Sequence, residues 1–261
     1  MSPLFYLFFF LIGLCIGSFL NVVIDRLPNG ETIAKGRSHC DFCKKKLKWF
    51  DLIPLLSFIS LKGECRYCKK KLSWQYPLIE LITGLFFVFT YTYVLYYYSH
   101  AQFFPYVLIL DLFLVSSFIS IFFIDLKYGL IPDKILILIF LFSVLFQIFF
   151  TRQLVFGNLL SGVGAFAFFL LLYLFTKRKG MGFGDVKLAF LIGFLVGFPN
   201  VIVSLYMAFL TGAFISIILI LWGKKRFSNT IPFGPFLVSS LIVVYFYGDA
   251  ITKIGMKLLG F

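Results

Sequence analysis

Apolar residues in this chain do not alternate with polar ones. They come in long runs. Eight runs approach the roughly 20 residues a helix needs to cross a bilayer core: residues 4–23, 77–98, 104–124, 132–150, 155–176, 185–199, 201–222 and 232–248. Only Phe198-Pro199-Asn200 separates the sixth from the seventh. Between the runs, basic residues gather in alternate gaps. Residues 25–76, 125–134, 177–187 and 224–226 hold 21 of the 24 Lys and Arg; Arg152, Lys253 and Lys257 are the rest. The positive-inside rule assigns the first set to the cytoplasm and both termini to the other side. The pattern predicts an all-α polytopic membrane protein of about eight transmembrane helices. A small cytoplasmic loop domain, 25–76, stands between the first and second.

Composition agrees with that class. The chain is 61% hydrophobic and 13% charged, with a mean hydropathy of +0.99, far from soluble usage. A net charge of +13 in a soluble protein would suggest nucleic acid. Gathered on one membrane face, it suits anionic lipid headgroups instead, and no nucleic-acid partner is expected. No basic stretch precedes the first run, which reads as a spanning helix rather than a cleaved signal. That run carries Gly13, Gly17 and Asn21 four apart, a face on which helices can pack closely and an amide can bond across. Gly193 and Gly197 repeat the spacing in the sixth run. Cys15 reads as a buried, inert small hydrophobe.

The remaining four cysteines form two pairs in the loop, Cys40-x-x-Cys43 and Cys65-x-x-Cys68, with 21 residues between them. Each pair can offer two thiolates from a tight turn, and two such turns complete a tetrahedral four-thiolate site. Zinc suits that donor set, with iron as the second choice; a redox dithiol is the alternative. With every position filled by protein, the ion would be structural, and it would supply much of the stability of a loop with little apolar mass. His39 reads as a bystander. Lys44–Lys46 and Lys69–Lys71 follow the two pairs symmetrically.

The acids are few and placed oddly. Gly180-Met181-Gly182-Phe183-Gly184-Asp185 is three alternate glycines ending on an aspartate, where a basic loop meets an apolar helix. Asp125 closes the third run on the same predicted face. Acids at a bilayer edge are costly and point to function by default; two at one face suggest an aspartic-protease pair. The plainer alternatives are a helix cap at Asp185 and a solvated boundary acid at Asp125. The glycines would leave room for an approaching substrate backbone. Glu80 has two readings, helix N-terminus electrostatics or a place near the active site. Asp133, following Pro132, reads as a first-turn or capping residue, and Asp111 lies deep in the third run without an assigned role. Ile231-Pro232-Phe233-Gly234-Pro235 interrupts the backbone at the start of the last run. It reads as a cleft wall or an ordinary helix start.

Taken in order, these stretches resemble the type 4 prepilin leader peptidase/N-methyltransferase family over most of the chain. The resemblance rests on Gly17-Ser18-Phe19-Leu20-Asn21, the loop from Arg37 through Trp49–Pro54 to Cys68, and Tyr76-Pro77-Leu78-Ile79-Glu80-Leu81. It rests further on Asp125 through Pro132-Asp133, on Gly182–Leu188 and on Pro232-Phe233-Gly234-Pro235. It implies a Gly-x-Gly-Asp aspartic endopeptidase in the bacterial cytoplasmic (inner) membrane that cuts the short basic leader from prepilins or pseudopilins at the cytoplasmic face. It also implies methylation of the new N-terminus from S-adenosylmethionine. Asp125 and Asp185 carry over as the catalytic acids, with Gly182, Gly184, Lys187 and Glu80 expected to support them. Cys40, Cys43, Cys65 and Cys68 carry over as Zn2+ ligands. The implied organisation is a first transmembrane helix over 1–24, a zinc-binding loop domain over 25–76 associated with N-methylation, and a peptidase domain over 77–261. A proton-coupled transporter and a non-catalytic zinc scaffold are the competing readings; an inverted repeat, which would favour the transporter, is not evident.

Overall fold

The computed structural model describes residues 3–33, 38–40, 42–177, 180–222 and 232–258. The basic stretch 224–226, Ile231, and parts of the loop 25–76 (34–37 and 41) lie outside the described residues. Among the described residues the elements are helical: α1 (Pro3–Arg26), the short α2 (Leu56–Ser60), α3 (Gln75–Tyr98), α4 (Phe104–Tyr128), α5 (Asp133–Phe150), α6 (Val155–Phe175), α7 (Phe183–Val196), α8 (Asn200–Leu221) and α9 (Gly234–Leu258). The eight apolar runs thus each become a helix. Seven are long and apolar enough to cross a membrane, which makes this a multi-pass membrane protein. The exception is α7. Its 14 residues rise only about 21 Å, short of the ~30 Å hydrocarbon core. It starts two residues before the predicted run and stops at Gly197, whose φ of +67° ends the helix without a Cβ penalty.

The chain divides into two compact units, Met1–Ser120 and Ile121–Phe261. In the first, α1 packs along α3 through the predicted small-residue face. A Cβ on Gly13 would stand 2.7 Å from Cα of Gly84, and one on Gly17 would stand 2.7 Å from Cα of Glu80. Backbones this close leave no space for a side chain. The Asn21 amide closes the lower end, donating to the Gly17 carbonyl at 3.3 Å and, across the contact, to the Tyr76 carbonyl at 3.1 Å. Cys15 departs from expectation: it is exposed on α1, because it lies off the Gly13–Gly17–Asn21 face. Asp111 is buried within α4.

The second unit is built around α7. Asp185, Val186, Leu188, Ala189, Leu191, Ile192, Gly193 and Phe194 are all buried, so the helix is covered on every side, as a core helix is. It touches α5, α6, α8 and α9. Against α6 the approach is again backbone to backbone: a Cβ on Gly193 would stand 2.5 Å from the Ser161 carbonyl oxygen, and one on Gly162 would stand 2.9 Å from that of Phe190. Gly197 extends this face as predicted, a Cβ there standing 2.6 Å from Oδ1 of Asn158 on α6, and it is also where the helix ends. Polar pairs join the remaining helices, Asn158 to Gln147 between α6 and α5, and Ser204 to Ser240 between α8 and α9.

Gly17→Leu would force α1 off α3. Overpacking of this kind costs about 1–3 kcal/mol or more. The variant should show a lower melting temperature in detergent and faster proteolysis of the first unit, while Cys15→Ala, off the contact face, should leave both unchanged.

Candidate active site and metal centre

The loop between α1 and α3 is two copies of one knuckle. In the first, the Cys40 N–H donates to the Lys45 carbonyl at 3.0 Å and the Lys44 N–H to the Cys40 carbonyl at 2.8 Å. In the second, Cys65 donates to Lys70 and Lys69 to Cys65, each at 2.9 Å. Isolated bridges His39–Lys46 and Glu64–Lys71 close the two turns. Lys44 and Lys69 take nearly the same positive φ, 55° and 56°. The result brings the sulfurs of Cys40, Cys43, Cys65 and Cys68 within 4.8 Å of one another, with Cys40 and Cys65 buried. Burial pushes the Cys40 thiol up to about 11. Burial opposes ionisation of Cys65 as well, but the backbone groups of Cys68 and Tyr67 and the neighbouring thiols bring it down to about 7. Four converging sulfurs fit a single tetrahedral ion with no place left open, so a metal here would fold the loop and leave chemistry to other residues.

Two residues outside that pattern hold the loop in shape. Asp51 is buried to 3% exposure beside Arg66. It accepts from Arg66 Nε at 2.6 Å, from the Lys48 N–H at 3.1 Å and from the Tyr67 hydroxyl at 3.3 Å. Burial alone would raise its pKa; these donors, Arg66 foremost, hold it below the ordinary carboxylate value. Arg66 and Tyr67 are the two residues between Cys65 and Cys68, so Asp51 orients the second knuckle from behind. Glu80 has the other supporting part. Rather than serving its own helix N-terminus, it is buried on α3 and accepts the Leu55 N–H at 2.8 Å. Leu55 has a φ of +58°, a costly conformation for a non-glycine residue, and the Glu80 carboxylate fixes it. These contacts of Glu80 lie within the first unit.

The two acids singled out in the sequence are both in the second unit and both buried, Asp125 at 4% and Asp185 at 6% exposure. Asp125, at the end of α4, is therefore not a solvated boundary acid. The two carboxyls stand close enough to interact electrostatically. Asp185 is not the N-cap of α7, which is Gly182; it lies in the first turn and accepts the Gly182 N–H at 3.1 Å, closing the cap from inside the helix. Asp125 Oδ2 is buried with no hydrogen-bond partner among the described residues. Gly184 ties the two acid motifs together: its Cβ position is 3.0 Å from Cβ of Ile131, in the turn that follows Asp125. The space a Cβ of Gly184 would take is thus filled by Ile131, whereas a Cβ on Gly182 would meet nothing closer than the Asp185 carboxylate at 3.5 Å. Lys187, one turn along, binds both oxygens of Asp133 at 2.7 and 2.8 Å. Asp133 lies in the first turn of α5 as expected, and its side chain makes this inter-helix pair rather than a cap. The pair also lines an open apolar groove of about 480 Å³ between α5, α6 and α7, with Leu136, Phe140, Phe166 and Phe190 among its other walls.

Residues 11–94 match the bacterial Peptidase A24 N-terminal domain, and residues 112–217 match the type IV leader peptidase family. A protein of Bacillus subtilis named prepilin leader peptidase/N-methyltransferase is 30% identical, covering 95% of this chain and 97% of its own. The chain belongs to the prepilin leader peptidase/N-methyltransferase family. Proteins of the same name from Aeromonas hydrophila and Legionella pneumophila are 32% and 33% identical, covering 96% and 94% of this chain and 93% and 92% of theirs. No solved structure gives a significant match. The family's N-terminal match includes the cysteine knuckles, Asp51 and Glu80; its leader peptidase match includes Asp125, Asp133, Asp185 and Lys187.

The four sulfurs and the Asp51 network make a joint prediction. Purified protein should retain one metal ion per chain, lost in Cys40→Ser or Cys65→Ser. Asp51→Ala should keep the sulfurs yet weaken retention against a chelator by roughly tenfold, as loss of an orienting partner typically does. Metal analysis with timed chelation reads both.

Proposed function

We propose that the protein is a membrane aspartic endopeptidase of the bacterial inner membrane that removes the short basic leader from prepilins or pseudopilins at the cytoplasmic face. The observation that carries the reading is the pair of buried, interacting carboxyls, Asp125 and Asp185, in a chain of this family. Like charges at close quarters cannot both ionise easily, so the pair shares one proton. The ionised carboxylate takes a proton from water, whose oxygen attacks the scissile carbonyl. The protonated partner donates to that carbonyl oxygen as the tetrahedral intermediate forms. Collapse returns a proton to the leaving amine, and the C–N bond breaks. The Gly182 N–H fixes one oxygen of Asp185. Gly184 and the Lys187–Asp133 pair hold α7 against the Asp125 turn and α5. The 21-to-3 division of basic residues across alternate gaps supports a cytoplasmic placement of the dyad and the cysteine loop.

In this reading residues 25–76 form a structural zinc domain, since an all-thiolate tetrahedron suits zinc, and 77–261 carry the peptidase. The names of the relatives support a second activity, transfer of a methyl group from S-adenosylmethionine to the amine that cleavage exposes. Glu80, which holds Leu55 in the loop, acts within the first unit.

Membranes carrying wild type, Asp125→Asn or Asp185→Asn would be given a model prepilin and the product masses read. Leader loss and an added methyl group are expected from wild type. Each Asn variant should insert normally and cleave at least about 10³-fold more slowly, since removing one member of a catalytic unit typically costs orders of magnitude. Undiminished cleavage by either variant contradicts the dyad.

A further inference from the structure

We propose that Gly234, anchored by Phe233, is a positioning residue for Asp125, so that the backbone at the start of α9 sets where the reactive carboxyl lies. The proposal rests on the peptidase reading given above. Its first support is a distance. A Cβ built on Gly234 would stand 2.5 Å from Asp125 Oδ2, 2.9 Å from Cγ and 3.3 Å from Cβ. The carboxyl therefore occupies the space a side chain at position 234 would need. Real Cβ atoms do not come within 3.0 Å of such neighbours, so any other residue must move the carboxyl or the backbone.

The second support is that this backbone is held. The Phe233 carbonyl accepts the N–H groups of Phe236 at 3.1 Å and Leu237 at 3.2 Å, opening α9. Its ring lies 5.1 Å from that of Phe209 on α8 and 6.4 Å from that of the fully buried Phe169 on α6. A Cβ on Gly212 would meet the same ring at 3.3 Å. Residue 233 is thus fixed at its carbonyl and at its ring, and residue 234 has little freedom to withdraw.

The third support is chemical. The first N–H groups of a helix have no partner within it, and Pro235 has none to offer. The Gly234 N–H stands beside the Asp125 carboxyl, whose Oδ2 is buried without a partner among the described residues. A carboxyl pressed against a fixed backbone has a single orientation in which to meet a water or a carbonyl. The stretch from 232 to 235 thereby supplies a wall of the site rather than a mere helix start.

The test is steady-state cleavage of a synthetic prepilin peptide by the purified full chain. Gly234→Ala should lower kcat by about a hundredfold with KM within about twofold, because a displacement of about 1 Å at the reacting centre costs that much. Gly212→Ala pushes only the edge of the Phe233 ring and should lower kcat less, again with KM held. Gly164→Ala, at an open position of α6, should cleave as wild type. Adding Phe233→Leu to Gly234→Ala frees the backbone to retreat and should raise kcat above that of the single variant, which a general packing defect would not do. If Gly234→Ala does not accumulate in membranes, the kcat and KM of Gly212→Ala decide. Undiminished kcat in Gly234→Ala, or a fall confined to KM, overturns the proposal, as does a double variant no better than the single. Cleavage surviving Asp125→Asn overturns the dyad and this proposal with it. Cleavage lost there but undiminished in Gly234→Ala overturns the positioning alone.

Discussion

Keeping two carboxyls together out of water is the constraint around which the second unit is arranged. A buried acid without compensation is expensive, and two beside each other add repulsion. The chain meets this with backbone rather than with basic side chains. Gly182 donates its N–H to Asp185, Gly234 lies against Asp125, and Gly184 lets the Ile131 turn reach α7. Lys187, two residues after Asp185, is committed to Asp133 instead. A lysine paired to either acid would favour its ionised form, against the shared proton of the proposed mechanism.

Precise placement of backbone in a membrane needs rigid helices, and here small residues provide the rigidity. Apolar side chains gain little from leaving lipid for a helix contact, so close packing must supply the attraction. Gly193 on Ser161 and Gly162 on Phe190 fix α7 to α6, and the aromatic group of Phe169, Phe209 and Phe233 fixes the start of α9. The first unit solves a different problem. Its loop has few residues to bury, and it substitutes four sulfurs, a buried Asp51 and the Glu80–Leu55 contact for an apolar core.

Much of this was legible in the residues themselves. Long apolar runs mark spanning helices because lipid forces the backbone to satisfy itself, and each run became a helix. Cysteine spacing announced the four-sulfur site because the ligand geometry is local to each turn. Asp125 and Asp185 stood out because acids are rare at a bilayer edge. Other features depend on contacts between distant segments, which a linear pattern does not carry. Asp51 is one acid in a basic loop until Arg66 and Tyr67 fold over it. Glu80 at the start of α3 suggested its own helix terminus, yet it serves Leu55. That Ile131 packs against Gly184 was likewise not legible. Asp133 after Pro132 suggested a first-turn or capping residue; it is in the first turn, but its bond to Lys187 was not legible. Gly234 between two prolines suggested a break in a helix, and only the fold sets it against Asp125. Helix α7 is shorter than its run because Gly197 adopts a positive φ that the spacing alone did not reveal.

The central claim is that two carboxyls act as one proton-sharing unit. The most direct measurement is the pH dependence of kcat/KM for leader cleavage by the purified wild-type protein. A pair in which one acid must be ionised and the other protonated gives a bell with two limbs. A single limb, or a rate independent of pH across the range in which the protein stays folded, would contradict it.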